Sequence, residues 1–251
     1  SQFNVTAGLL REATGADVYA LDLRGHGQSG GRAGDVDHIG QYEEDLVDVI
    51  GSLNGTHPGR PLVLSGHSMG GGIAQRYALL PDSPAVDGYL LYAPLLGPGA
   101  PTARTEFTED SGAEEPWLKI DVPRIIGLSM LSAVGVTGLN ALTTAVCHVT
   151  EGARVGEYSF RALASTGPTS YVAGLEALDA PVLVLVGSED EAFVADAYAP
   201  VVEAHARVPA RVEIVEDAND NAVHHDPRAV THAAGWLADL GFSKPPPVTA
   251  D

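Results

Sequence analysis

Five consecutive aliphatic residues, Val182-Leu-Val-Leu-Val186, follow Pro181 and stop at Gly187-Ser-Glu-Asp190. A run that short and that uniformly apolar has no solvent face, so it reads as a strand covered on both sides, as in a parallel sheet between helix layers. The rest of the chain repeats the theme. Val18-Tyr-Ala-Leu-Asp-Leu23, Pro61-Leu-Val-Leu-Ser65, Val86 to Tyr92 and Arg211 to Val215 also read as strands. Between them, Ile39 to Leu53, Met69 to Leu80, Phe193 to Ala206 and Arg228 to Leu240 carry apolar residues at helical spacing. Strand and helix in alternation predict βαβ units on a mostly parallel sheet flanked by helices, the α/β class. From about Leu95 to Ala173 the alternation gives way to Gly, Pro and short helical pieces, which reads as an insertion over the carboxyl edge of the sheet, where ligand sites of α/β folds lie. The expected division is residues 1–94 and 173–251 as two parts of one core, with a helical cap at 95–172. The tail from Lys244-Pro-Pro-Pro247 reads as loose.

Charge removes several functions. Fourteen Lys and Arg stand against 33 Asp and Glu in 251 residues, a net charge of −19, and the only lysines are Lys119 and Lys244. Nucleic-acid binding needs clustered cations to neutralise phosphates, and no basic run exists here. Attraction to anionic lipid is excluded on the same ground. The single cysteine, Cys147, builds neither a disulfide nor a thiolate metal cage. Ile125 to Cys147 lacks charge over a length that a spanning helix needs. Its glycines 127, 135 and 138, together with Asn140, favour a buried or interface-touching helical lid instead. Ser1 to Leu10 shows no basic start before an apolar block, so the expected location is cytoplasmic unless a leader lies upstream.

The sharpest chemical signal is Gly66-His-Ser-Met-Gly70, set between a predicted strand and a predicted helix. A G-x-S-x-G turn in that context holds its serine in a strained conformation, with small residues at Gly66 and Gly70 letting strand and helix close up. Ser68 then stands exposed at a helix N-terminus, and the Met69 N–H points at a developing oxyanion. A serine needs a base, and the base needs an orienting acid. Asp190, on the loop leaving the strand at 182–186, lies on the same sheet edge and is the chosen acid. Glu189 and Glu191 are its neighbours.

Asp22-Leu-Arg-Gly-His-Gly-Gln-Ser29, the Gly66–Gly71 turn and Gly187-Ser-Glu-Asp190 together resemble the α/β-hydrolase superfamily, in particular its monoacylglycerol-lipase and lysophospholipase-like serine hydrolases. The likeness runs through nearly the whole chain and is weakest from Gly97 to Gly156. It implies ester cleavage through an acyl-enzyme, with no metal or organic cofactor. It also implies structural roles for His26 and His67. Two departures stand out. The family's catalytic His falls seven residues before a Pro, and counting back from Pro227 gives Asp220, followed by Asn221. An aspartate there cannot shuttle a proton as imidazole does at neutral pH, so the substitution inactivates, and Asp190 and Asp220 are expected to repel if they face each other. The alternative is a base at His224 or His225, four and five residues on. The second departure is at the N-terminus. The family's first three strands and its oxyanion loop have no counterpart before the helix region at Ala7-Gly-Leu-Leu-Arg-Glu12. The resemblance places the third of those strands between Val18–Leu23 and Leu62–Ser65, which predicts a companion segment or chain that supplies it.

The insertion offers Trp117, Leu118, Ile120, Ile125, Ile126, Leu128, Met130, Leu131, Leu139 and Leu142, either as an acyl tunnel or, for most of them, as packing of cap on sheet. A chargeless run over the site favours apolar acyl groups as a small-molecule ester substrate, and the acidic balance disfavours anionic leaving groups such as CoA. The expected function is a carboxylic-ester hydrolase. The alternatives are a relative that binds without turnover and an acyltransferase.

Overall fold

A computed structural model describes residues 3–104, 118–147 and 154–242. Four strands, β1 (Val63–His67), β2 (Gly88–Tyr92), β6 (Val182–Gly187) and β7 (Ala210–Val215), form one parallel sheet in the order β1-β2-β6-β7. β2 and β6 lie in the middle, and every residue in both is buried, in keeping with sequences that carry no charged residue. Leu91, Leu183 and Leu185 sit among the most completely covered side chains of the core.

Helices close the layers. α1 (Asn4–Thr14) packs against α9 (Pro227–Asp239), whereas α2 (Gln41–Thr56), α3 (Met69–Ala78), α6 (Tyr171–Ala177) and α7 (Tyr198–His205) form a contiguous row. The ends of these helices follow local chemistry. α1 stops at Gly15, whose φ of 75° turns the chain away and whose N–H returns to the Arg11 carbonyl. α9 starts at Pro227 behind Asp226, which accepts the Arg228 N–H as an N-cap. Phe193 to Ala206 divides into a 3-10 turn at Ala195–Ala197 followed by α7.

Two expectations are corrected. Val18–Leu23 is not a strand: the stretch is irregular, and Val18, Tyr19 and Leu21 are exposed while Leu23 packs on the core. A strand is held by the backbone it pairs with, and among the described residues none runs beside this one. The cap is not built of helical pieces alone. β3 (Leu118–Ile120), β4 (Thr143–Cys147) and β5 (Glu157–Ser159) form an antiparallel sheet, with α4 (Val122–Ala133) between β3 and β4 and a short α5 (Phe160–Leu163) after β5. The chargeless stretch 125–147 is therefore broken. α4 ends before Gly135 (φ 86°), and the β-branched Thr143, Thr144 and Val146 carry the chain into β4. Among the described residues no helix is long and apolar enough to cross a membrane.

The cap sheet is fastened to the loop at 24–37. Asp35 is buried, accepts two guanidinium N–H groups from Arg161 (2.8 and 2.7 Å) and also accepts the Ser159 hydroxyl (2.6 Å). Burial alone would raise the Asp35 carboxyl, but the bonds from Arg161 and Ser159 outweigh it and hold the pKa below the usual range. His26 bridges the Arg24 carbonyl and the Tyr158 hydroxyl, each at 2.9 Å. Arg154 donates to the carbonyls of His26, Gly27, Ser29 and Gly31. The Arg-Gly-His-Gly loop is thus a docking surface for the cap, and His26 is structural.

Candidate active site

β1 ends at His67, α3 begins at Met69, and Ser68 alone makes the turn. Its φ of 48° and ψ of −111° lie where an L-residue with a side chain is strained. Four backbone bonds hold it there: Ser68 N–H donates to the Tyr92 carbonyl (2.9 Å), while the Ser68 carbonyl accepts from Gly71, Gly72 and Leu95. Met69 is the first residue of α3, so its N–H has no acceptor within the helix. The hydroxyl belongs to a half-buried residue at the positive end of that helix.

The glycines around it are only partly as expected. A Cβ on Gly66 would run into the Gly70 carbonyl, so that residue must be small, as the sequence implied. A Cβ on Gly70 would meet nothing within 4 Å. The close packing falls instead on Gly71 against Pro94 and on Gly72 against the Thr166 carbonyl.

Asp190 leaves the end of β6 and is almost wholly buried, at 1% exposure. Its Oδ1 accepts the N–H groups of Ala192 (2.8 Å) and Phe193 (2.6 Å), and its Oδ2 is buried without a hydrogen-bond partner. Burial pushes its pKa up from 3.8 to about 6; the Phe193 N–H opposes this and the nearby Asp220 carboxylate adds to it. Asp220 begins α8 (Asp220–Val223), and Asn219 caps that turn by accepting the Ala222 N–H. Asp220 N–H donates to Glu191 Oε2 (3.1 Å), and its Oδ1 and its carbonyl lie 3.0 and 2.9 Å from His67 Nε2. Both partners of that nitrogen are acceptors, so Nε2 carries the proton.

Neither alternative base is joined to the serine by a hydrogen bond. His224 is buried, and its Nδ1 pairs with the Thr6 hydroxyl of α1 at 2.7 Å. Burial, followed by the His67 and His225 rings, lowers its pKa to about 4, so it is neutral at pH 7. His225 is exposed and meets His224 edge to face, with ring centroids 4.8 Å apart. Phe3 lies over both His224 (4.7 Å) and His67 (6.1 Å), so the start of α1 borders the site. Ser68, Asp190 and Asp220 therefore follow the carboxyl ends of β1, β6 and β7 on one edge of the parallel sheet.

Sequence reasoning missed three contributors: Phe3, Thr6 and Arg104. Arg104 donates to the carbonyls of Asp190 (2.7 Å) and Phe193 (3.1 Å), and a lone arginine in Pro-Thr-Ala-Arg gives no signal of such a role. The cap set also behaves differently from expectation. Leu128 alone of the ten is buried among the described residues, while Ile126, Met130, Leu131, Leu139 and Leu142 are exposed, so packing on the core does not account for most of them. Trp117 lies outside the described residues. Among the described residues no group of three or more His, Cys, Asp or Glu side chains is placed to hold a metal ion.

A strained serine between a parallel strand and a helix, followed by an acid after a later strand, is the α/β-hydrolase architecture, and the chain has that fold. The family described as Hydrolase_4, serine aminopeptidase S33, matches residues 7–131. The monoacylglycerol lipase of Mycolicibacterium smegmatis is 38% identical over 93 residues, which are 34% of this chain and 33% of that protein. Human monoglyceride lipase is 41% identical over 68 residues, 26% of this chain and 22% of its own length. The matched stretches thus span a third or less of these relatives. The fold extends further: the crystal structure of Paleococcus ferrophilus monoacylglycerol lipase superposes with a TM-score of 0.63 at 18% identity, covering 96% of this chain and 90% of that one.

Proposed function

We propose that the site is built for carboxylic-ester hydrolysis through an acyl-enzyme on Ser68, with apolar acyl esters as the substrate class. The observation that carries the reading is the Ser68 turn, whose φ of 48° is a cost that a plain strand–helix connection would avoid. In this reading the Ser68 hydroxyl attacks the ester carbonyl, and the Met69 N–H receives the negative charge that gathers on its oxygen. The alcohol leaves with a proton, and water then releases the acid. Asp190 is the orienting acid: its unpartnered Oδ2 is the acceptor that an imidazole N–H would use. Asp220 stands where that imidazole belongs, which leaves this chain with nucleophile and acid but a poor proton carrier. The exposed aliphatic residues of the cap and the names of the lipase relatives support an apolar acyl group.

The reading also calls for a second oxyanion donor and a strand beside β1, which we ascribe to a companion segment. The half-exposed outer edge of β1 and the solvent-facing apolar residues at 18–21 support it. Cooperative melting of the 251-residue chain alone, with β1 and residues 18–23 slow in amide exchange, would overturn it.

The main test compares the chain with its Asp220→His variant, using a fluorophosphonate probe and medium-chain 4-nitrophenyl esters. Restoring the base should raise turnover by roughly 100-fold or more, the usual scale of general-base catalysis, with the probe attached to Ser68. A variant that neither labels at Ser68 nor turns over ester refutes the proposal. Uptake of apolar ester without turnover in that variant favours the binding-protein alternative, for which Asp220 at the base position is the supporting observation.

A further inference from the structure

The turn that presents Asp190 is held from outside as well as from within. Inside it, Asp190 Oδ1 gathers the N–H groups of Ala192 and Phe193, and the Asp190 N–H returns to the Gly187 carbonyl. Those bonds fix the shape of the turn but leave the carbonyls of Asp190 and Phe193 pointing outward. A second segment takes both. The chain that leaves β2 for the cap passes alongside, where Ala103 bridges Phe193 in antiparallel fashion and the Val194 N–H donates to the carbonyl of the buried Thr102. From the next residue, Arg104 Nη2 donates to the Asp190 carbonyl at 2.7 Å and Nε to the Phe193 carbonyl at 3.1 Å. A guanidinium suits this task because its donors are set in a rigid fork, so one side chain fixes the separation of two acceptors.

We propose that Arg104 is a positioning residue for Asp190, locking the acid's turn from the first leg of the cap. The inference rests on the reading of Asp190 as the orienting acid. Arg104 touches no reacting atom; it acts by keeping the buried carboxylate at one depth and one angle.

The test reads Asp190 directly. Carboxyl 13C NMR follows its titration in the parent chain and in Arg104→Gln, with Asp220 untouched, so the outcome does not depend on whether Asp220→His yields turnover. Releasing the fork lets water reach the turn, which lowers the Asp190 titration, whereas the lost positive charge of Arg104 raises it, so the charge-keeping Arg104→Lys is the deciding variant and Arg104→Gln reports the sum of the two. In the Asp220→His background the same change should lower kcat by roughly 10-fold while KM stays within about twofold, the pattern of lost orientation rather than lost substrate binding. In Arg104→Lys the charge stays and only the fork is lost. One ammonium holds the two carbonyls less rigidly, so a downward shift of about half a pH unit is expected. A folded Arg104→Lys with a parent-like Asp190 titration overturns the proposal. A missing kcat effect alongside a moved titration would fault the acid role of Asp190, not the clamp.

Discussion

Asp190→Asn is expected to stabilise the protein at alkaline pH and to leave it nearly unchanged in acid. The Asp190 carboxyl is raised from 3.8 to about 6 in the folded chain, chiefly by burial. At about 1.4 kcal/mol per pH unit, ionising it costs about 3 kcal/mol more in the folded than in the unfolded state. The sign follows from the direction. With a raised folded pKa, the stabilising contribution is fully present below pH 3.8, where both states are protonated, and is lost as pH climbs through 6. Asn keeps an oxygen for the Ala192 and Phe193 N–H groups and never ionises, so the loss disappears. At pH 8 the variant should gain about 2–3 kcal/mol, which for a chain of this size raises Tm by roughly 5–10 °C. At pH 4 the two should melt within about 2 °C of each other. Circular-dichroism melts at both pH values decide the matter. Parallel Tm–pH curves for parent and variant would show that Asp190 is not desolvated as described.

Two other substitutions probe the frame of the site. Gly66→Ala drives a methyl group into the Gly70 carbonyl and should cost at least about 2 kcal/mol, whereas Gly70→Ala, open on that side, should cost less than about 1 kcal/mol. Urea midpoints for the pair measure the difference, and equal losses would refute the packing assigned to the elbow. Asp35→Asn weakens the Arg161–Asp35 lock and should cost about 2 kcal/mol at pH 7. Since the Asp35 pKa is held low, that deficit should shrink as pH falls through it and the parent loses the same charge. A deficit that grows in acid would contradict the assignment.

What the sequence disclosed was whatever depends on near neighbours. The aliphatic run at 182–186 announced a doubly covered strand because five consecutive apolar residues leave no solvent face. Gly66-His-Ser-Met announced the elbow because its strain is local to three residues. Elements defined by distant partners stayed hidden. Val18–Leu23 has the composition of a strand and, among the described residues, no strand beside it. The cap strands at 118–120 and 157–159 are three residues each, too short for alternation to register. Gly70 was assigned a packing role that belongs to Gly71 and Gly72, because only the path of Pro94 and Thr166 reveals which glycine is crowded. Asp220 could be counted to its position, but its contact with His67 depends on two loops meeting across 153 residues.

The packing of α1 on α9 bears on how the molecule is made. Thr6 and His224, which meet across it, are 218 residues apart in the chain. A ribosome adding about 5–20 residues per second needs roughly 10–40 s between them. Through that interval the inner side of α1, Leu10 included, has no seat to occupy. The earliest of these helices to be synthesised is thus among the last to settle.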